Sequence, residues 1–182
     1  IILIENILPK TLIEKQSNEP MDGDMEAGSS VCLLSIGRFS YPKNFDNVPD
    51  ICRRMRCQGV DAKWYLIGYG GEEALIRKKI EEAGMQEHVI ILGKKENPYP
   101  YIKACDIYVQ PSRYEGKCVA VREAQMLGKP VVITNYATAE SQLENGIDGI
   151  IVPMDNKKFA SSVVEFILDC KRKMQMRKNC MK

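Results

Sequence analysis

The chain reads as an α/β protein built on an open parallel sheet of about six strands with helices on both faces. Two observations predict it. From Val31 onward, short apolar runs alternate with helix-length amphipathic segments, the pattern of parallel strands joined by crossover helices. Small or turn-forming residues follow most of the apolar runs, as in Gly37-Arg38, Gly68-Tyr69-Gly70-Gly71, Gly93-Lys94, Pro111-Ser112, Thr134-Asn135 and Pro153. In a parallel sheet all these loops fall on one edge, the carboxyl edge, where open α/β folds bind ligands.

In chain order, the predicted strands are Val31 to Ile36, Ala62 to Ile67, Val89 to Leu92, Asp106 to Gln110, Val131 to Thr134 and Ile150 to Val152. Each is a short, mainly apolar run. The helices between and after them are Phe45 to Cys57, Glu72 to Ala83, Pro98 to Ala104, Val119 to Leu127 (its first turn reaching back to Lys117), Thr138 to Glu144 and Lys157 to Cys170. Lys15 to Ser30 carry Asn, Asp, Gly and Ser with few apolar positions and read as an exposed connection. The chain thus divides into an incoming segment and connection over 1–30, a sheet domain over 31–170 and a basic tail over 171–182. Residue 1 is Ile rather than Met, and Ile1-Ile2-Leu3-Ile4 reads as continuing something upstream.

At 182 residues the length suits one domain with a sizeable core. A net charge of +2 does not point to nucleic acid. The cations of the tail, Lys171, Arg172, Lys173, Arg177, Lys178 and Lys182, complement a helix C-terminus or offer a stripe to a membrane surface or partner. No apolar run is long enough to span a bilayer, and no secretory signal pattern is present. The seven cysteines form no C-x-x-C pair, which suits a reducing cytoplasm better than a disulfide framework or a zinc site.

The chemistry-bearing residues gather after the first, third and fourth strands. Gly37-Arg38-Phe39-Ser40-Tyr41-Pro42-Lys43-Asn44 puts two cations at the entry to a helix. Free N–H groups at such an entry already favour an anion, and the combination suits a diphosphate. Glu115-Gly116-Lys117-Cys118-Val119 enters a second helix, whose amides could take the same phosphates from the other side. Glu123 lies eight residues beyond Glu115, about 12 Å along a helix, so the two carboxylates could bracket an elongated ligand. An ionised carboxylate accepts hydrogen bonds on two oxygens, which fits Glu123 to paired sugar hydroxyls. The turn Lys94-Lys95-Glu96-Asn97 ends the third strand, where a base could sit against main-chain groups.

Other motifs carry less. Gly68-Tyr69-Gly70-Gly71 lacks the full dinucleotide fingerprint and reads as a turn that lets strand and helix pack closely. His88, the single histidine, has no nucleophile pattern beside it. Cys118 begins a helix, where a thiolate is favoured, but reads as a small packing residue.

Taken together, Ser35-Ile36-Gly37-Arg38 with Lys43, Tyr65 to Gly70, Val109 to Ser112, Glu115 to Glu123, Ala124 with Gly128-Lys129-Pro130-Val131-Val132, and Gly146-Ile147-Asp148-Gly149 resemble the retaining glycosyltransferases of family 4. The match in order and spacing runs from about Val31 to Cys170. It is similar to the C-terminal, Rossmann-like half of a GT-B fold, the half that binds the sugar nucleotide. The resemblance implies that Arg38 and Lys43 hold the donor diphosphate, helped by main-chain groups at Gly116, Lys117, Cys118 and Val119. It implies Glu123 on the ribose, Lys94, Lys95 and Asn97 near the base, and Glu115 as the catalytic residue beside the transferred sugar. Members usually read Glu-Gly-Phe-Gly where this chain has Glu115-Gly116-Lys117-Cys118, which keeps the Glu pair. The run from Glu115 to Glu123 looks most like that of bacterial enzymes building capsule or cell-surface polysaccharide.

The resemblance further implies a UDP- or GDP-sugar donor and a saccharide or lipid-linked acceptor held by an amino-terminal domain outside these residues. It implies transfer with retention, no cofactor and no metal, and a cytoplasmic enzyme able to associate with the inner face of the plasma membrane. Alternatives are a sugar-nucleotide epimerase or a phosphorylase on the same two-domain plan and, from a different class, a non-catalytic nucleotide-sugar-binding module.

Overall fold

The computed structural model describes residues 9–21, 25, 28, 30–169, 176 and 178–180. Six parallel strands form one sheet in the order β3-β2-β1-β4-β5-β6. They are β1 Val31–Ile36, β2 Ala62–Ile67, β3 Val89–Gly93, β4 Ile107–Gln110, β5 Val131–Thr134 and β6 Ile150–Val152. The helices are α1 Lys10–Gln16, α2 Val48–Cys57, α3 Glu73–Ala83, α4 Tyr99–Ala104, α5 Val119–Met126, α6 Ala139–Gln142 and α7 Asn156–Leu168. All six expected strands are present, and the fold is the doubly covered parallel sheet that the apolar runs predict.

Successive strand residues point to opposite faces, and both faces are buried. Leu33, Trp64, Leu66, Val109 and Val132 pack with α2, α3 and α7, where Trp64 stacks on Phe159 at 6.2 Å. Leu34, Tyr65, Ile67, Tyr108, Val131 and Ile133 pack on the other face with α4, α5 and α6. A sheet covered on both sides has no polar face to show, so the strands read as continuous apolar runs.

The differences from expectation are local. Asp106, read as the first residue of the fourth strand, lies outside it: its N–H donates to Cys32 O and its carboxylate accepts from Cys32 N, each at 2.9 Å, a side-chain extension of the β1–β4 ladder. The helix expected from Phe45 is split, with 3₁₀ turns at Tyr41–Lys43 and Phe45–Asn47 before α2 begins at Val48. Asn44 between those turns takes a left-handed φ of 61°, and Pro49 in the first turn of α2 sets the start. α5 begins at Val119 rather than Lys117, and α6 is a single turn. α7 starts at Asn156, where Asp155 accepts from the Lys158 N–H, and ends at Leu168, short of Cys170.

The connection expected over Lys15 to Ser30 is not wholly exposed. α1 packs on α4 with Ile13 inside, and Ser17 and Met25 are buried. Of the tail cations, Lys178 is described and exposed; Lys171, Arg172, Lys173, Arg177 and Lys182 lie outside the described residues. No disulfide joins the six cysteines that are described, and no helix among the described residues is long and apolar enough to cross a membrane.

The sheet positions the site. From β1 the chain moves out to β2 and β3, and from β4 the other way to β5 and β6. The loops after β1 and β4 therefore diverge at the middle of the carboxyl edge and leave a crevice. Gly68 and Gly70 frame one wall with φ values of +151° and +157°. A Cβ on Gly68 would sit 1.8 Å from the Gly37 carbonyl oxygen and one on Gly70 2.3 Å from that of Phe39, so the motif serves close packing of the β2 loop on the β1 loop. Gly68→Ala is expected to lower the free energy of unfolding by roughly 3 kcal/mol or more, because backbone has to move. Gly59→Ala, with φ +84° and open space around it, should cost about 1 kcal/mol. Urea unfolding of the two variants checks this ordering.

Candidate functional site

The crevice is closed on itself by bonds between the loops after β1 and β4. Asn44, buried and left-handed, donates its side-chain amide to Pro111 O at 2.8 Å, and the Arg113 N–H donates to Pro42 O at 2.8 Å. The Arg113 guanidinium forks onto Asp46 with two bonds of 2.9 Å, donates to Tyr41 O at 2.7 Å and lies 4.1 Å over the Tyr41 ring.

These ties bring Lys43 and Glu115 together, with Nζ 2.5 Å from Oε1. The Lys43 side chain is 21% exposed and that of Glu115 only 9%, so the pair is far less screened than a surface one. Gly37 makes room for it: a Cβ there would stand 3.2 Å from the Lys43 stem. Glu115 Oε1 also accepts from Ser112 Oγ at 2.6 Å and Gln110 Nε2 at 3.4 Å. Behind them, Gln110 Nε2 donates to Ser112 Oγ at 2.9 Å and Tyr108 OH to Gln110 Oε1 at 2.8 Å.

The turn from Glu115 to α5 is held from α6, by Thr138 at its N-cap and Gln142 at its last position. Thr138 Oγ1 lies 2.7 Å from Glu115 O and 2.8 Å from Gly116 O, a shared donation to two carbonyls. The Gln142 carboxamide grips Cys118 from both sides, accepting from its N–H at 2.7 Å and donating to its C=O at 3.0 Å. Gly116, Lys117 and Val119 are exposed, and Cys118 is buried. Burial, with the Glu115 charge adding, pushes the Cys118 thiol up to about 11. It is a packing thiol, as its sequence setting suggests.

Glu123 lies on α5 and accepts from Tyr99 OH at 2.8 Å. Burial raises its carboxyl above the usual range, and the Tyr99 bond pulls it back. The Tyr99 phenol is pushed up to about 12 by burial, by this bond and by the carboxylate's charge. Arg38 is exposed, and among the described residues it has no ion-pair partner. In the turn after β3, Lys94 lies 5.7 Å over the Tyr69 ring and Lys95 5.4 Å over that of Tyr101. Asn97 turns the other way, donating to Gln16 O at 3.0 Å and Glu19 Oε2 at 2.8 Å.

The loops after β1 and β4 thus bring Lys43 against Glu115 beside the entry of α5, with Glu123 further along that helix, and Arg38 lies exposed in the β1 loop. Sequence reasoning missed the groups that hold them: Tyr99, Gln110, Ser112, Arg113, Thr138 and Gln142. Only Gln110 and Ser112, polar residues ending an apolar strand, carried a readable signal.

The fold and its switch-point crevice define the Rossmann-like C-terminal half of a GT-B protein. Residues 25–182 match the glycosyl transferases group 1 family, and the chain belongs to that family. It is 27% identical over 148 residues to the amylovoran biosynthesis glycosyltransferase AmsD of Erwinia amylovora, covering 81% of this chain and 40% of that protein. With AmsK of the same organism it shares 26% identity over 140 residues, covering 72% of this chain and 34% of that one. The chain spans well under half the length of these relatives.

Among solved structures, the C-terminal domain of the group 1 protein LpcC from Francisella tularensis superposes with a TM-score of 0.72 at 20% identity. That match covers 83% of this chain and 82% of that domain. Anabaena HepE, solved in complex with UDP, gives 0.75 at 22% identity, over 84% of this chain and 43% of HepE.

The buried, raised thiol of Cys118 and the exposed Cys57 make an order of reactivity. A limiting maleimide near neutral pH should label Cys57 and leave Cys118 unmodified, read by peptide mass spectrometry. Faster labelling at Cys118 would show that the α5 N-terminus activates its thiol.

Proposed function

We propose that this chain binds the nucleotide-sugar donor of a retaining glycosyltransferase, and that the longer protein passes the sugar to a saccharide or lipid-linked acceptor in surface-polysaccharide assembly. The observation that carries the reading is the Lys43–Glu115 pair, 2.5 Å apart at the topological switch point. An ammonium beside a carboxylate, where an open α/β sheet takes its ligand, fits the junction between a diphosphate and the sugar it carries. The UDP in HepE and the amylovoran role of AmsD support donor class and pathway type.

In this reading Arg38 and Lys43 meet the diphosphate with fixed cations, and the charge that develops on the departing nucleotide is stabilised without reorganisation. Gly116, Lys117 and Val119 border the phosphates, while the Cys118 amide is held by Gln142. Glu123 accepts from the ribose hydroxyls, and Lys94 and Lys95 border the base, while Asn97, expected beside them, is committed to α1 and α4. Glu115 lies at the anomeric end, anchored through Oε1 to Lys43 and Ser112. No metal is invoked. The acceptor site belongs to the rest of the protein, so the chain alone is expected to bind a nucleoside diphosphate and transfer nothing.

Calorimetry with uridine, UMP and UDP, and with the guanosine series, separates the roles. Glu123→Ala should weaken nucleotide binding by about 1.5–3 kcal/mol, the range for a hydrogen bond to a charged group, and a 2′,3′-dideoxy nucleotide should erase the difference. Lys43→Ala should lose most against the diphosphate and little against the nucleoside, with a salt dependence that Glu123→Ala lacks. Equal losses across all three ligands for both variants would refute the assignment.

A further inference from the structure

Tyr99 has no place among the donor contacts above, yet its position is fixed from three directions. It opens α4, and its N–H donates to Asn97 Oδ1 at 3.1 Å. Asn97 in turn donates to Gln16 O at the end of α1 and to Glu19 just beyond it. At the other end of α4, Lys103 donates to the Asn18 side chain, and α1 packs along the helix. The phenol reaches from this anchored helix across to α5, where its hydroxyl meets Glu123 Oε1 at 2.8 Å.

We propose that Tyr99 is a positioning residue for ribose recognition: its hydroxyl holds the Glu123 carboxylate in the rotamer that faces the ribose hydroxyls. The proposal rests on the reading that Glu123 is the ribose ligand. A carboxylate has about four lone-pair sites, so one phenol bond on Oε1 leaves capacity for two sugar hydroxyls. A Glu side chain held before the ligand arrives loses less rotamer freedom on binding, and that saving appears as affinity.

The same bond bears on charge. Burial favours the neutral form of Glu123 and the phenol donor favours the ionised one. The groups facing it from the packed elements are phenols, Tyr99 on α4 and buried Tyr108 on β4, both raised and hence neutral near pH 7. On α5 itself, Arg122 is turned to Gln125. Removing the Tyr99 hydroxyl therefore moves the Glu123 titration to higher pH. Sugar hydroxyls donate best to the ionised carboxylate, so nucleotide binding should then fail at a higher pH as acid is added.

The test is calorimetry of UDP and 2′,3′-dideoxy-UDP with the parent chain, Tyr99→Phe and Glu123→Ala, from about pH 5 to about pH 8. Tyr99→Phe should bind UDP about 5- to 10-fold more weakly at neutral pH, bind the dideoxy analogue as the parent does, and show its acid limb displaced to higher pH. An unchanged melting temperature would confirm that packing is intact. Equal losses for both ligands, an unmoved acid limb, or tighter UDP binding by the variant would overturn the proposal. If Glu123→Ala distinguishes the two ligands while Tyr99→Phe does not, only the Tyr99 assignment falls. If Glu123→Ala treats them alike, the ribose reading falls and takes this proposal with it.

Discussion

A parallel sheet gives the loops after β1 and β4 no reason to meet. The chain leaves β1 toward one edge and β4 toward the other, and the ends diverge into a crevice that would otherwise fill with water. What closes its floor is the Arg113–Asp46 fork, with Asn44 on Pro111 and Arg113 N–H on Pro42 beside it. The fork is largely shielded, its side chains 17% and 19% exposed. Shielding strengthens the attraction and raises the desolvation cost together. Its geometry matters more than its energy, because a bidentate planar contact fixes orientation as well as distance. Across the tied loops Lys43 meets Glu115, and the Lys43 stem passes Gly37 just before the left-handed turn at Asn44.

Glu115 is also tied to the middle of the sheet. β4 ends in buried Gln110, and Tyr108, Gln110, Ser112 and Glu115 form a continuous line of hydrogen bonds from strand to site. Buried polar groups cost several kcal/mol when unpaired and little when every partner is supplied. A second buried line runs beside it, where Trp64 Nε1 donates to Ser35 Oγ at 2.9 Å and Ser35 donates to Val109 O at 2.5 Å. The strand that carries the site is thereby held in register by side chains as well as by its ladder, and the carboxylate at its end inherits that rigidity.

How much of this was legible follows from the physics of each part. The six strands were readable because a doubly covered parallel sheet writes itself as apolar runs. α1 was not, because it offers only Ile13 to the core and its remaining turns read as polar linker. The break before α2 was hidden in a side chain: nothing local shows that Asn44 will spend its amide on Pro111. Arg38, Lys43, Glu115 and Glu123 stood out because cations, glycines and paired carboxylates after strands are an unusual investment. Their supports did not, since Thr138 and Gln142 come from the N-cap and last position of α6, after a different strand, and a Tyr such as Tyr99 reads as core until its hydroxyl is seen to have a partner. The turn at Lys94 to Asn97 was read by position alone, and position could not reveal that Asn97 faces α1.

The α5 entry shows where side chains and helix ends divide the work. A loop that cradles phosphate must present N–H groups and turn its carbonyls away. Thr138 does half of this by holding the carbonyls of Glu115 and Gly116. Gln142 acts against the other half, since its grip on Cys118 uses the N–H and the C=O together and releasing one would strand the other. The Cys118 amide, expected among the phosphate donors, is therefore committed to the protein. α5 is also only eight residues long, and its terminal field fades within the first turn. Under the proposed reading, the weight of diphosphate recognition falls on the cations of the β1 loop rather than on the helix, and the Glu115 carboxylate sets where the Lys43 charge stands.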